Sequence, residues 1–394
     1  VHTRIATAVA LVAGIVSIPS AQALADRPAP TAAAARPVAV RATAQEEQRP
    51  AATDRRQVRR TRDGHAGRRP TAPTAPTART APTAPAGRTA TAPARTERER
   101  SSTFREYVSL GDSWSADVVF LDAHGVPDDT HVPIDCAQSH VNYPKLVAKE
   151  LAIPVHRDAT CGSATTDHFA GPQSLPLGGT NPPQYDRLTR RTDLVTVGIG
   201  GNDAGFAGAA LACISLLPIE TIPMDLLPLP DLPVPLFSTE TLPVGGCKRY
   251  FTAGGVDRLA VAIERSEIKL VKAFRRIHQI SPRARILALN YLAAVPKQGC
   301  WPVVPVTNGD MAYLHATFLK LNAMVARAAR RGGAELVDTF TPTLGHDMCQ
   351  APNVRYAEAL GPSVNDPALG VPAHPNSAGA RAQAQVVLDY LRTH

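Results

Sequence analysis

YVSLGDSWSADVV, residues 107–119, is the stretch from which the rest of the chain can be read. Its opening, Tyr107-Val108-Ser109-Leu110, is a short apolar run of the kind that ends a buried strand. The chain then turns sharply at Gly111-Asp112-Ser113, and the polar residues that follow suit the start of a helix. A serine at a strand-to-helix turn presents its hydroxyl at the carboxyl edge of a sheet, where open α/β folds place their ligands. The N–H groups that open such a helix have no partner within it. One turn therefore offers a nucleophile and an anion-stabilising donor together. Gly-Asp-Ser is also ordinary turn chemistry, so the reading depends on what else the chain supplies.

Working outward from that turn, strand and helix periodicities alternate. Strands are expected at 106–110, 193–199, 285–290 and 335–338, each short and apolar enough to be buried on both faces, with a weaker one near 154–158. Helices are expected over 142–151, 255–279, 309–331 and 377–392. Pro282 follows the second and Gly332-Gly333 ends the third. Strands separated by helices imply a parallel sheet with helices on both faces, an α/β fold, and residues 101–394 make one such domain.

The segments before residue 101 are different material. Residues 1–25 fit an export signal: His2 and Arg4, an apolar run from Ile5 to Ile18, then small residues around Ala21, Ala23 and Ala25. That run is short for a bilayer span. Residues 26–100 are rich in Thr, Ala, Pro and Arg, as in TAPTAPTARTAPTAPAGRTATAPAR (71–95), and lack aromatics. Such a composition buries too little to offset chain entropy, so a disordered spacer is expected. Charge divides the same way. Residues 26–100 carry 16 Arg against 7 acidic residues, a net +9; Arg4 adds one, so of the total +8 residues 101–394 carry −2. A nucleic-acid surface needs its positive charge on the folded domain, and this domain is nearly neutral.

All six cysteines, Cys136, Cys161, Cys213, Cys247, Cys300 and Cys349, lie in the folded part, with no CxxC and no zinc spacing. No metal or cofactor is expected. In an exported chain an even count suggests three disulfides among fifteen pairings, of which neighbour with neighbour is the simplest. Between two of the cysteines, residues 213–247 hold seven prolines and many leucines. Proline at that density forbids a regular helix or central strand. The segment reads either as a surface excursion packed on itself or as an apolar flap touching acyl chains or a lipid surface.

Three more stretches join Ser113. Gly198-Ile199-Gly200-Gly201-Asn202-Asp203 follows a strand, and Asn202 offers an amide donor at the same sheet edge. Asp203 stands where a dinucleotide fingerprint needs its third glycine. Cys161-Gly162-Ser163-Ala164-Thr165-Thr166 is a small-residue turn able to present N–H groups, and His374 lies just before the last helix. Ester hydrolysis needs an attacking hydroxyl, a base and donors for the oxyanion. Ser113, His374, and donors near 162–163 and at 202 supply that set.

At these residues the chain resembles the SGNH (GDSL-type) hydrolases, in their secreted actinobacterial esterase/lipase branch. Gly111-Asp112-Ser113, the Gly162/Ser163 turn, Gly201-Asn202-Asp203 and His374 match its four blocks in order, over about residues 104–392. The resemblance implies a three-layer α/β/α flavodoxin-like sandwich, Ser113 as nucleophile and His374 as base. It implies an oxyanion hole made from the Ser113 N–H, an N–H at Gly162 or Ser163, and the Asn202 amide. It also implies disulfides in sequence order: Cys136–Cys161, Cys213–Cys247 and Cys300–Cys349. Gly345-His346-Asp347-Met348-Cys349 is similar to the same branch.

Two positions depart from the family pattern. Where many members have an aspartate three residues before the histidine, this chain has Val371. The resemblance to the Streptomyces-type members implies a main-chain carbonyl as the orienting acceptor, that of Val371, with Asp366 as the alternative. Gly162-Ser163 also stands in the reverse of the common order. The G-x-S-x-G elbow of α/β-hydrolases is absent. The expectation is a secreted, monomeric serine esterase or lipase on acyl esters. An acetyl esterase on polysaccharide and a non-catalytic binding module are the alternatives.

Overall fold

The computed structural model describes residues 103–215, 246–359 and 369–394. The expected signal segment, the spacer, Asp366 and most of the 213–247 loop lie outside the described residues.

Five strands form the central sheet: β1 (Glu106–Gly111), β2 (Val155–Asp158), β3 (Leu194–Gly198), β4 (Arg285–Leu289) and β5 (Glu335–Val337). All neighbours pair in parallel in the order β2-β1-β3-β4-β5. The chain moves outward from β1 to β2, then crosses back to β3. This is the flavodoxin-like order, and its crevice opens at the carboxyl ends of β1 and β3.

The helices are α1 (Ser113–Ala116), α2 (Tyr143–Glu150), α3 (Phe206–Ala212), α4 (Arg258–Ile280), α5 (Asn308–Gly332) and α6 (Ser377–Thr393). Side chains on each strand alternate between two layers. Val108, Leu110, Val195, Val197, Ile286 and Ala288 pack with α4 and α5. On the opposite face, Tyr107, Leu194, Leu287, Leu289 and Val337 pack with α2 and α6. The result is a three-layer α/β/α sandwich with both sheet faces covered, which explains why the strand sequences read as nearly continuous apolar runs.

The helix starts follow from local chemistry. Asn142, Asp257, Thr307 and Asn376 each accept a backbone N–H from the first turn of α2, α4, α5 and α6. Helix α5 ends at Gly333, whose φ of 80° suits a residue without a Cβ. The polar segment after Ser113 forms only one turn, because Asp117 enters the left-handed region at φ 50°. Helix α3 and the short helix Cys247–Phe251 were not anticipated; both flank the proline-rich segment, and neither is long enough to show a clear period. Cys136–Cys161, Cys213–Cys247 and Cys300–Cys349 are bonded.

The edge strand β2 is anchored by a buried polar cluster rather than by apolar contact. Asp158 accepts from Ser109 Oγ (2.8 Å), Asn142 Nδ2 (2.8 Å), Thr160 Oγ1 (2.7 Å) and Lys145 Nζ (3.0 Å). The same ammonium reaches Asp128 (3.2 Å), Gln138 Oε1 (2.6 Å) and the Ser139 carbonyl (2.8 Å). One lysine thus ties α2, both strands and the loops that carry Cys136 and Cys161.

Burial alone would raise the Asp158 carboxyl, but the Lys145 and His156 charges and the Asn142 and Thr160 bonds pull it down to about 2. Its contribution to stability is therefore complete above the ordinary carboxylate value of about 4. It disappears as pH falls through about 2. Asp158→Asn is expected to destabilise the domain at neutral pH by about 3 kcal/mol, because the lysine loses a buried partner. It should also flatten the acid side of the stability curve. Denaturant unfolding at stepped pH measures both, and an acid slope unchanged in the variant refutes the assignment.

Candidate active site

The Ser113 turn depends on backbones that approach closely. Asp112 N donates to the Gly198 carbonyl (3.0 Å), and the Asp112 carbonyl accepts from Ser115 N and Ala116 N. Ser115 Oγ docks on the Gly198 carbonyl at 3.0 Å. A Cβ on Gly111 would lie 2.5 Å from Ser115 Oγ, and one on Gly198 2.4 Å from it. Only glycine lets the one-turn helix fold back over the ends of β1 and β3. Asp112 caps that turn through Trp114 N (3.0 Å), and burial pushes its carboxyl up to about 7 against the Tyr291 and Trp114 bonds.

The turn brings Ser113 Oγ to 2.9 Å from His374 Nε2. His374 Nδ1 lies 2.8 Å from the Pro372 carbonyl. A carbonyl only accepts, so Nδ1 carries the proton and Nε2 is left to accept from Ser113. This corrects the expected acceptor from Val371 to Pro372. Ala373 stands at φ 59°, which turns the chain so that the ring faces the carbonyl two residues back. The Val371 N–H is meanwhile committed to the Val118 carbonyl. The histidine's own main chain is clamped on both sides: Ala373 N donates to the Glu358 carbonyl and Glu358 N to the His374 carbonyl. Burial pushes His374 down to about 4, partly offset by its bond to Pro372.

The expected donor loop meets the turn from β2. Cys161 N pairs with the Gly111 carbonyl (3.2 Å), and the Cys136–Cys161 disulfide holds the loop in place. The expectation of Gly162 as a donor is corrected by the same bonds. Its N–H donates to the Cys136 carbonyl (3.0 Å), and its carbonyl accepts from Gln173 Nε2 (2.6 Å). Ser163, left-handed at φ 60° and exposed, has an N–H without a protein acceptor among the described residues. The Ser113 N–H, first in its helix, is also unpaired there. Asn202 spends one amide hydrogen on the Ala164 carbonyl (2.9 Å) and keeps the other.

Several supporting groups escaped the sequence reading. Asp203, whose side chain is fully buried, accepts from Thr166 N (2.9 Å) and Thr166 Oγ1 (2.6 Å), joining the β3 loop to the Ser163 loop. Tyr291 OH donates to Asp112 Oδ2 (2.6 Å), and the Trp114 ring packs against Tyr291, Phe318 and His374. Tyr291 and Pro372 carried no signal in one sequence. Asp203 did, as the residue beside Asn202. His124, His140 and His278 lie away from this centre: the first two rings are 5.0 Å apart, and His278 Nε2 meets the Gly333 carbonyl at the end of α5.

The family model for the GDSL-like lipase/acylhydrolase family matches residues 109–382. Lipase 2 of Streptomyces coelicolor is 31% identical over 310 residues, covering 76% of this chain and 90% of that protein. An esterase of Streptomyces scabiei is 28% identical over 285 residues, covering 64% and 77%. Among solved structures, the chain is similar to an extracellular lipase from Streptomyces rimosus at 21% identity, with 72% of this chain and 99% of that one covered at a TM-score of 0.49. The matched span holds the Ser113 turn, the Ser163 loop, Asn202 and His374 together. The chain belongs to the GDSL-like lipase/acylhydrolase family, the SGNH hydrolases, and is a carboxylic ester hydrolase.

Proposed function

We propose that this chain is an exported serine esterase of lipase type, working through a Ser113–His374 pair and an acyl-enzyme. The observation that carries the reading is the 2.9 Å approach of His374 Nε2 to Ser113 Oγ, two residues 261 positions apart. In this mechanism Ser113 Oγ attacks the acyl carbonyl as its proton passes to Nε2. The Pro372 carbonyl holds the ring in the right tautomer and stabilises the imidazolium that forms, the task an acid performs in a triad. Negative charge on the former carbonyl oxygen is met by the Ser113 N–H, the Ser163 N–H and the free Asn202 amide hydrogen. Collapse releases the alcohol, which takes the proton from His374. Water then attacks the ester on Ser113 by the same route, giving the free acid and the original serine.

Residues 1–25 serve as the export signal, 26–100 as a spacer and 101–394 as the hydrolase, which acts as a monomer. Acyl lipids are the favoured substrates, because the Leu/Pro-rich 213–247 segment suits contact with acyl chains or a lipid surface. The name of the Streptomyces coelicolor relative, Lipase 2, points the same way.

Ser113→Ala is expected to lower kcat by about 10⁴-fold or more with an unchanged melting temperature. Undiminished ester hydrolysis would end the proposal. Because His374 is pushed down to about 4, the base is present at neutral pH and is lost only as pH falls through that value. The acid limb of kcat/KM should therefore sit well below the ordinary histidine midpoint of about 6.5. A limb at or above that midpoint contradicts the buried-base assignment. Across p-nitrophenyl and glyceryl esters of rising chain length, rates should favour medium or long acyl groups; a preference for acetylated sugars would move the assignment to a carbohydrate esterase.

A further inference from the structure

The donors of the proposed oxyanion hole come from different strands, so something must keep them in register. Ser113 follows β1, and Asn202 follows β3. Between them stands Tyr291, just past the end of β4 and almost wholly buried. Its hydroxyl donates to Asp112 Oδ2 at 2.6 Å and accepts from Gly201 N at 2.7 Å. One atom therefore touches the residue before the nucleophile and the residue before the asparagine.

Tyr291 itself is rigidly held. Its N–H donates to Asn322 Oδ1 (2.8 Å), and its carbonyl accepts from Asn322 Nδ2 (3.0 Å), so a single buried amide on α5 clamps its main chain. The ring packs edge-on to Trp114, with centroids 5.3 Å apart. A Cβ on Gly201 would lie a tight 3.0 Å from the hydroxyl, so a side chain there would press on the contact. We propose that the Tyr291 hydroxyl is a positioning group that locks the Asn202 loop to the Ser113 turn through Asp112, holding the oxyanion donors at their working separation.

With Asp112 ionised, the polarity of the bridge follows from its partners. A tyrosine hydroxyl has one proton and accepting lone pairs. The Gly201 N–H can only donate, so the hydroxyl's proton must go to Asp112. Asp112 must then accept twice, from Tyr291 at Oδ2 and from Trp114 N at Oδ1. The ionised carboxylate meets that demand, and with its carboxyl pushed up to about 7 Asp112 takes that form above this pH. Burial holds the Tyr291 hydroxyl well above its usual value, so its proton stays in place across the working range.

The inference rests on the donor assignment proposed above, and its test separates the two. Steady-state kcat and KM on a soluble short-chain ester are compared for the full-length wild type, Tyr291→Phe, Asp112→Asn, Asn202→Ala and the Tyr291→Phe/Asn202→Ala double variant. Tyr291→Phe keeps the ring and should lower kcat about tenfold with KM nearly unchanged, the signature of misplaced groups. Asp112→Asn keeps volume and capping ability but has one acceptor oxygen for two donors, so it should show a similar loss. Asn202→Ala should lower kcat about 10²-fold. In that background Tyr291→Phe should cost little more, because the group it positions is gone. A merely structural tyrosine would lower the melting temperature and leave kcat intact. The inference is overturned by wild-type kcat in Tyr291→Phe, or by the same tenfold loss recurring in the Asn202→Ala background. Wild-type kcat in Asn202→Ala would overturn the donor assignment and this inference with it.

Discussion

The site is built on the contact of Ser115 Oγ with the Gly198 carbonyl, made in a space where neither Gly111 nor Gly198 has room for a methyl group. That contact folds a single helical turn back over the ends of two parallel strands. It points Ser113 into the crevice where the strand order reverses. A Cβ on Gly111 would push against Ser115 and the Gly198 carbonyl together, which leaves little freedom for relaxation, and one on Gly198 would displace the Ser115 hydroxyl from that carbonyl. The geometry of the nucleophile is thus a matter of packing before it is one of chemistry.

Around that turn the chain distributes its polar bonds so that each functional atom retains one unused capacity. Gly162 is consumed by Cys136 and Gln173, and by being consumed it sets the neighbouring Ser163 N–H free. Asn202 spends half of its amide on Ala164. Asp203 and Tyr291 use theirs to tie neighbouring segments together. Buried polar groups are satisfied almost everywhere because leaving them unpaired is costly. Among the described residues the Ser113 N–H, on a buried residue, is without a protein acceptor, and the Ser163 N–H, on an exposed one, is open to solvent or a ligand.

Replacing a carboxylate by a carbonyl behind His374 has an energetic side. The Pro372 oxygen carries only a partial charge, so burial prevails and the imidazole is held down to about 4. A full charge there would favour the protonated ring. The arrangement keeps the His374 imidazole neutral at ordinary pH.

The five strands, the long helices and the residue types of the site were legible in the sequence, because hydrophobic period and strand-to-helix turns are local properties. Ser113, Asn202 and His374 declared themselves by their place at the ends of those elements. The sequence left the acceptor behind His374 open between the Val371 carbonyl, which the family resemblance favoured, and the Asp366 carboxylate. In the structure the Pro372 carbonyl takes that place, beside a left-handed Ala373 whose N–H is held by the Glu358 carbonyl. Likewise, whether Gly162 or Ser163 keeps its N–H depended on where the Cys136 carbonyl came to lie, 26 residues back along the chain. Periodicity reports which face of an element is buried; a hydrogen bond between loops depends on where two distant segments meet, and only the folded chain decides that.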